Sequence, residues 1–389
     1  MRKSDIEQLL QEGLITRLQH DLIIHRHRLD RESNRLLVIL AVLGGILFVC
    51  GAVLLVAANW DSVPKAPKIG GGILLMLGAH FLGWRLGKDG DHPAIATTLH
   101  LVGAGLFLAN ISLVGQIYHL GSRAPDAVLL WLVGIVPLPW ILRSRALHIL
   151  TLTTFGIWLG MELTQDDGLL RFGGGARMCS FYLLLGVLFV GLGGLLRRGP
   201  FAEFAGATEK FGLLGVHHAS LPLMIGAFYG QSAVTQGAWI LSGAVAALAL
   251  ALVGTALARN VDGIPPKWRM AWFGTLVVVV AVGWTGLLAG YDSSFHQRGD
   301  IGPHWLVIPV LFAVSLVQIQ VGLQRSSAFH VNLAIVAIAV QILAAFFQLF
   351  GSMADTGMIF VSTGLLLILL GWYLERQRRS LVRNMRSAA

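Results

Sequence analysis

Residues 36–58 read LLVILAVLGGILFVCGAVLLVAA, an uncharged run long enough to cross a bilayer as one helix. It is preceded by residues 1–35, MRKSDIEQLLQEGLITRLQHDLIIHRHRLDRESNR, a charged stretch with Leu and Ile at three- and four-residue spacing. A secretory leader would place its apolar core directly after a short basic segment and end it at a small-residue cleavage site. This run does neither, so it is expected to be retained as a first membrane span. That reading sets the class of the whole molecule, because runs of the same kind recur to the end of the chain.

The 389 residues are 55% hydrophobic and 13% charged, with a mean hydropathy of +0.72. Soluble domains are about 45–50% apolar and about 25% charged, a gap that a buried core does not close. The expected fold is an all-α polytopic transmembrane bundle. Spans are expected at 36–58, 69–86, 94–118, 127–142, 146–163, 178–196, 213–229, 238–258, 271–291, 304–323, 328–350 and 357–374. Twelve spans put both termini on one side, and loop charge identifies that side as cytoplasmic. Of the 29 Lys and Arg, 23 fall in the segments on the side of the N-terminus and 6 in the others, as the positive-inside rule requires. The net charge of +9 therefore reflects topology and an affinity for anionic lipid headgroups. It gives no reason to expect a nucleic-acid partner. Two cysteines exclude a disulfide framework.

The spans divide the chain into a cytoplasmic helical hairpin (1–35), six helices (36–196), a cytoplasmic amphipathic loop (197–212), six further helices (213–374) and a basic tail (375–389). In the loop, RRGPFAEFAGATEKFG, the residues Phe201, Phe204 and Phe211 are expected to dip into the membrane interface. The hairpin is read either as a collar on the bundle or as a docking site for a protein partner.

Polar residues inside spans are costly, and so point to a cavity, an interface or a neighbouring helix. The third span ends LFLANISLVGQIYHLGS (106–122) and carries Asn110, Gln116, Tyr118 and His119. At 100° per residue these groups surround the helix, which places this span centrally or ends its regularity near Gly115. Acids gather at the same outer side: Asp61 after Trp60, Asp126 at the start of the fourth span, and Glu162, Asp166 and Asp167 closing the fifth. Together, Trp60, Asp61, Asn110, Gln116, Tyr118, His119, Asp126 and Glu162 form a candidate outward-facing pocket, suited to a cation or an amine-bearing solute. Ordinary inter-helix hydrogen bonding and a solvated loop face are the competing readings. His217 and His218, beside Pro222 in the seventh span, are candidates for a proton relay. They are adjacent, and the metal-binding pair on a helix is spaced i, i+4, so no metal site is expected there. His80, His100 and His148 are isolated in the sequence and read as satisfied core or interface histidines, and Gln341 and Gln348 as inter-helix glue. No phosphate loop, HExxH, CxxC or GxSxG motif occurs; neither a cofactor nor a catalytic residue is expected.

Three stretches, IEQLLQEGLIT at the N-terminus, AANWDSVPKAPKI after the first span and GAGLFLANISLVGQIYHLGSRAPDAVLLWLVGIVPLPWILRS in the middle, resemble the predicted bacterial membrane proteins grouped as DUF2157. The closing FVSTGLLLILLGWYLERQRR is also similar. The resemblance is strongest over residues 5–165. It implies a multi-pass protein of the bacterial cytoplasmic membrane and carries no activity with it.

Three functions fit this pattern. The first is a transporter or substrate-binding membrane protein for a small-molecule or lipid ligand, to which the proline-broken VGIVPLPW of the fourth span contributes. The second is a structural or regulatory protein acting through residues 1–35. The third is a membrane enzyme on lipid-linked substrates, with His119 as base and Glu162 or Asp126 as its partner.

Overall fold

The computed structural model describes residues 10, 12, 16–19, 35–58, 64–88, 93–121, 123–165, 172, 174–225, 234–260, 263–289, 304–350 and 356–387. Among these there is no strand. In chain order the helices are α1 (Arg35–Ala58), α2 (Lys65–Lys88), α3 (Pro93–Ile117), α4 (Ala124–Ile135), α5 (Leu138–Leu142), α6 (Arg145–Thr164) and α7 (Gly175–Leu196). They continue with α8 (Ala202–Ile225), α9 (Gln236–Arg259), α10 (Pro266–Ala289), α11 (His304–Gln324), α12 (Ala328–Phe350) and α13 (Thr356–Ser387). Nine segments among the described residues are long and apolar enough to cross a membrane. Helices also occupy the expected spans that begin at residues 36, 213 and 357.

Local signals set many of the boundaries. Ser144 caps α6 by accepting a hydrogen bond from the Leu147 amide, and Thr235 caps α9 through the Ala238 amide. Thr16 and Gln19 form a reciprocal capping box, each side chain accepting from the other's amide at 3.3 and 2.9 Å. It starts a helical turn at Arg17, within the expected hairpin. The fourth apolar segment, residues 124–142, is broken between Ile135 and Leu138, where Pro137 removes an amide donor.

Residues 197–212 differ from expectation. The loop is only a short turn, closed by the Gly199 amide on Leu196 O and the Ala202 amide on Gly199 O, at 3.0 and 3.2 Å. α8 then runs from Ala202 to Ile225, well ahead of the expected start at Leu213. Phe204 is fully buried, stacked on His148 (4.7 Å between centroids) with its ring edge-on to Trp140. Phe211 packs edge-to-face with Phe189. Phe201 also packs edge-on to Trp140, so all three phenylalanines assigned to the lipid interface are held by aromatic contacts within the protein.

The chain separates into two compact units, residues 1–135 and 136–389. In the first, α3 is the hub and packs on α1, α2 and α4. In the second, α7 packs on α8, α9 and α10 and is the most enclosed membrane-length helix, with 56% of its apolar window buried. Glycines explain how closely α8 lies on it. A Cβ at Gly212 would approach Gly186 O to 2.5 Å and Val190 N to 2.6 Å, and one at Gly193 would approach Glu209 N to 2.7 Å. Without a hydrophobic drive between helices in lipid, such backbone contact carries the packing.

Candidate functional site

The most polar region of the core grows out of the turn between α11 and α12. α11 ends in a Schellman motif: the Ser327 amide donates to Gly322 O at 2.8 Å and the Ser326 amide to Leu323 O at 3.1 Å. Ser326 takes the left-handed conformation that this motif requires, with φ of 51°. The reversal is tight because Gly322 has no Cβ; one there would approach His330 Cβ to 2.8 Å. Arg325, Ser327 and His330 are thereby gathered at one helix end, with 2.7 Å between Ser327 Oγ and His330 Nδ1.

α8 brings Glu209 to this group. The carboxylate is 2% exposed and is ion-paired by Arg197, at the end of α7, and by Arg325; His330 Nε2 lies at 3.5 Å. Glu209 precedes the apolar run of α8 that starts at Leu213. Burial by itself raises its carboxyl, but Arg325, then His330 and Arg197, hold it well below the usual carboxylate range. Arg197, Glu209, Arg325 and Trp272 border a cavity of about 20 Å³, room for a single water.

One helical layer deeper, Gln318 of α11 is fully buried and joins two histidine-bearing helices. Its Nε2 donates to His330 O at 3.1 Å, and its Oε1 lies 2.9 Å from His217 Nε2 on α8. His217 Nε2–H must therefore donate. Its Nδ1 is buried and, among the described residues, has no hydrogen-bond partner, an unusual state for a core polar atom. Pro222 follows in the same helix. Glu209, His330, Gln318 and His217 form a polar seam along α8, α11 and α12 of the second unit. Gln341 of α12 adds a cross-link to Ser315 of α11 at 3.1 Å, which makes it the inter-helix glue that its spacing suggests.

The structure divides the two adjacent histidines: His217 is 7% exposed, whereas His218 lies on the exposed side of α8. No cluster of three or more potential metal ligands occurs among the described residues. His148 is a satisfied core histidine, 2.9 Å from the Thr208 hydroxyl. His80 and His100 are not isolated; their Nδ1 atoms face one another at 3.1 Å.

The residues of the candidate outward pocket fall into different settings. Asn110 is buried in α3, with Nδ2 donating to Leu106 O at 2.9 Å and Oδ1 filling the notch that Gly72 leaves in α2. Gln116, Tyr118 and His119 are exposed. α3 stops at Ile117 with a Schellman motif, the Leu120 amide on Gly115 O at 3.0 Å and the His119 amide on Gln116 O at 3.4 Å. His119 holds the left-handed position, with φ of 50°, where glycine is the usual choice. Lys65 Nζ lies 5.8 Å from the Tyr118 ring centroid. Asp126 is bridged by Arg123 at 2.7 Å. Glu162 belongs to the second unit, is 1% exposed and is not without a partner. Trp60 and Asp61, like Asp166 and Asp167, lie outside the described residues.

Sequence reasoning missed Glu209 and gave His330 and Gln318 no role. The signal for Glu209 was an acid one helical turn from an apolar run, flanked by basic helix ends at Arg197 and Arg325.

Residues 7–148 match the family model described as Predicted membrane protein (DUF2157). The match covers the first unit and the start of the second, within the region where the resemblance is strongest. No curated protein and no solved structure matches the chain.

Proposed function

We propose that this multi-pass membrane protein is a transporter of the bacterial cytoplasmic membrane, with twelve spans and both termini inside, and that the polar seam of its second unit is the working element. The observation that carries this reading is His217: buried, committed through Nε2 to Gln318, and left with an Nδ1 that no described residue partners and that can take a proton. Prolines in the helices support it: residues 124–142 are broken at Pro137, and Pro222 within α8 and Pro309 within α11 each remove a backbone donor from a continuous helix. Substrate choice follows from charge. Arg197 and Arg325 place excess base at the side assigned to the cytoplasm, while the outer-side acids favour a small amine-bearing solute. Gln116, Tyr118, His119 and Asp126 are its proposed point of entry in the first unit. On the cytoplasmic side the bilayer's anionic headgroups are the expected lipid partner.

The test uses the full chain in liposomes loaded with a pH-sensitive dye, with putrescine, ethanolamine and lysine added outside. The expected result is solute-dependent proton movement that His217→Phe abolishes. Proton movement equal to that of protein-free liposomes for every amine overturns the reading.

A further inference from the structure

The first unit contains a titratable pair that the seam does not use. His80 of α2 and His100 of α3 place their Nδ1 atoms 3.1 Å apart, with rings stacked at 30° and centroids separated by 5.4 Å. His100 is 7% exposed. Each ring fills a notch in the opposite helix. A Cβ at Gly103 would approach His80 Nε2 to 2.6 Å, and one at Gly83 would approach His100 Cε1 to 3.0 Å. The two glycines thus shape the helix surfaces to admit both rings.

We infer that His80 and His100 form a binding site for one shared proton. Two imidazole nitrogens at this distance bond only if one carries a hydrogen and the other offers a lone pair. In the neutral pair, one ring is therefore the Nδ1–H tautomer and the other the Nε2–H tautomer. One added proton converts the donor ring to imidazolium and leaves the contact intact as a shorter, charge-assisted bond. A second added proton places two N–H groups and two positive charges face to face, and the contact is lost.

Among the described residues, the surrounding charges give a second proton no support. α1, α2 and α3 contain no Asp or Glu. Their bases, Arg35, Lys65, Lys68, Arg85 and Lys88, lie towards the helix ends. On α4, Asp126 is already bridged by Arg123. Protonation of both rings therefore separates α2 from α3 at this level, and the pair makes that contact sensitive to acid.

The experiment is ¹⁵N-histidine NMR of the full chain in lipid nanodiscs, titrated from neutral to acid. The expected spectrum at neutral pH contains one coupling between two imidazole Nδ1 atoms across a hydrogen bond, with one ring protonated at Nδ1 and its partner at Nε2. Acidification yields one imidazolium while the coupling persists, and the coupling vanishes only when the second ring becomes charged. His80→Gln and His100→Gln assign the signals, each removing the coupling. Absence of the coupling in the unmodified protein overturns the inference without reference to either variant. So does simultaneous charging of both rings. Neither outcome bears on the transport reading, whose carrying observation is His217 of α8.

Discussion

The α2–α3 pair and the α7–α8 pair both pack through glycine notches, yet they bury polar groups by different means. In the first, neutral groups fill space where a Cβ is missing: Asn110 against Gly72, His80 against Gly103 and His100 against Gly83. The charges of those two helices stay near their ends. In the second, an ionised carboxylate is enclosed and neutralised by guanidiniums from two other helix ends. The first arrangement depends on shape and the second on charge balance, so they fail under different perturbations.

The largest expected effect is at Glu209. Glu209→Gln leaves two guanidiniums facing a neutral amide, a change on the order of 3–5 kcal/mol for a broken buried pair. Thermal unfolding in nanodiscs should show a fall far greater than that from Asn110→Ala in the first unit. Equal falls would mean that charge balance does not distinguish the two regions.

Acid is a second way to remove the same charge. Because the folded-state carboxyl of Glu209 lies below its ordinary value of 4.5, its stabilisation is present above that value and is lost as pH falls towards the folded-state value. The melting temperature should therefore drop below about pH 4.5 in the native protein, and Glu209→Gln should lack that part of the loss.

Glycine substitutions separate rigid from adaptable contacts. Gly212→Ala pushes a methyl group against the backbone of Gly186 and Val190, whereas Gly103→Ala meets the His80 ring. Overpacking costs roughly 1–3 kcal/mol. Gly212→Ala should fall at the upper end, since backbone yields less readily than a side chain, and paired melting curves would check the order. The smallest effect is expected for Gln318→Leu, at about 0.6 kcal/mol for each of its two membrane hydrogen bonds. A stability loss several times larger would make the seam a structural clamp.

Most of the architecture was legible in the apolar runs, because a helix that crosses lipid must satisfy its backbone internally and be apolar for some twenty residues. The stretch at 197–212 was misread for a related reason. Glu203, Glu209 and Lys210 lower the local hydropathy, and the partners that compensate are distant in sequence: Arg143 for Glu203, Arg325 for Glu209, and the Phe329 ring beneath Lys210. Asn110 was legible as a polar group needing a partner, but the notch at Gly72 is a property of two helices together. The His80–His100 contact has no local signature either, because nothing near either residue specifies the facing ring. His119 looked functional because it is polar and near a span end; the Schellman geometry gives it a backbone role as well.

The proposed part of the seam in transport is tested most directly by putrescine uptake into liposomes containing the full chain, comparing His217→Phe with Asn110→Ala at equal amounts of folded protein. The account predicts that uptake is lost in His217→Phe and retained in Asn110→Ala. Uptake that persists in His217→Phe, or that is absent from the native protein, would contradict it.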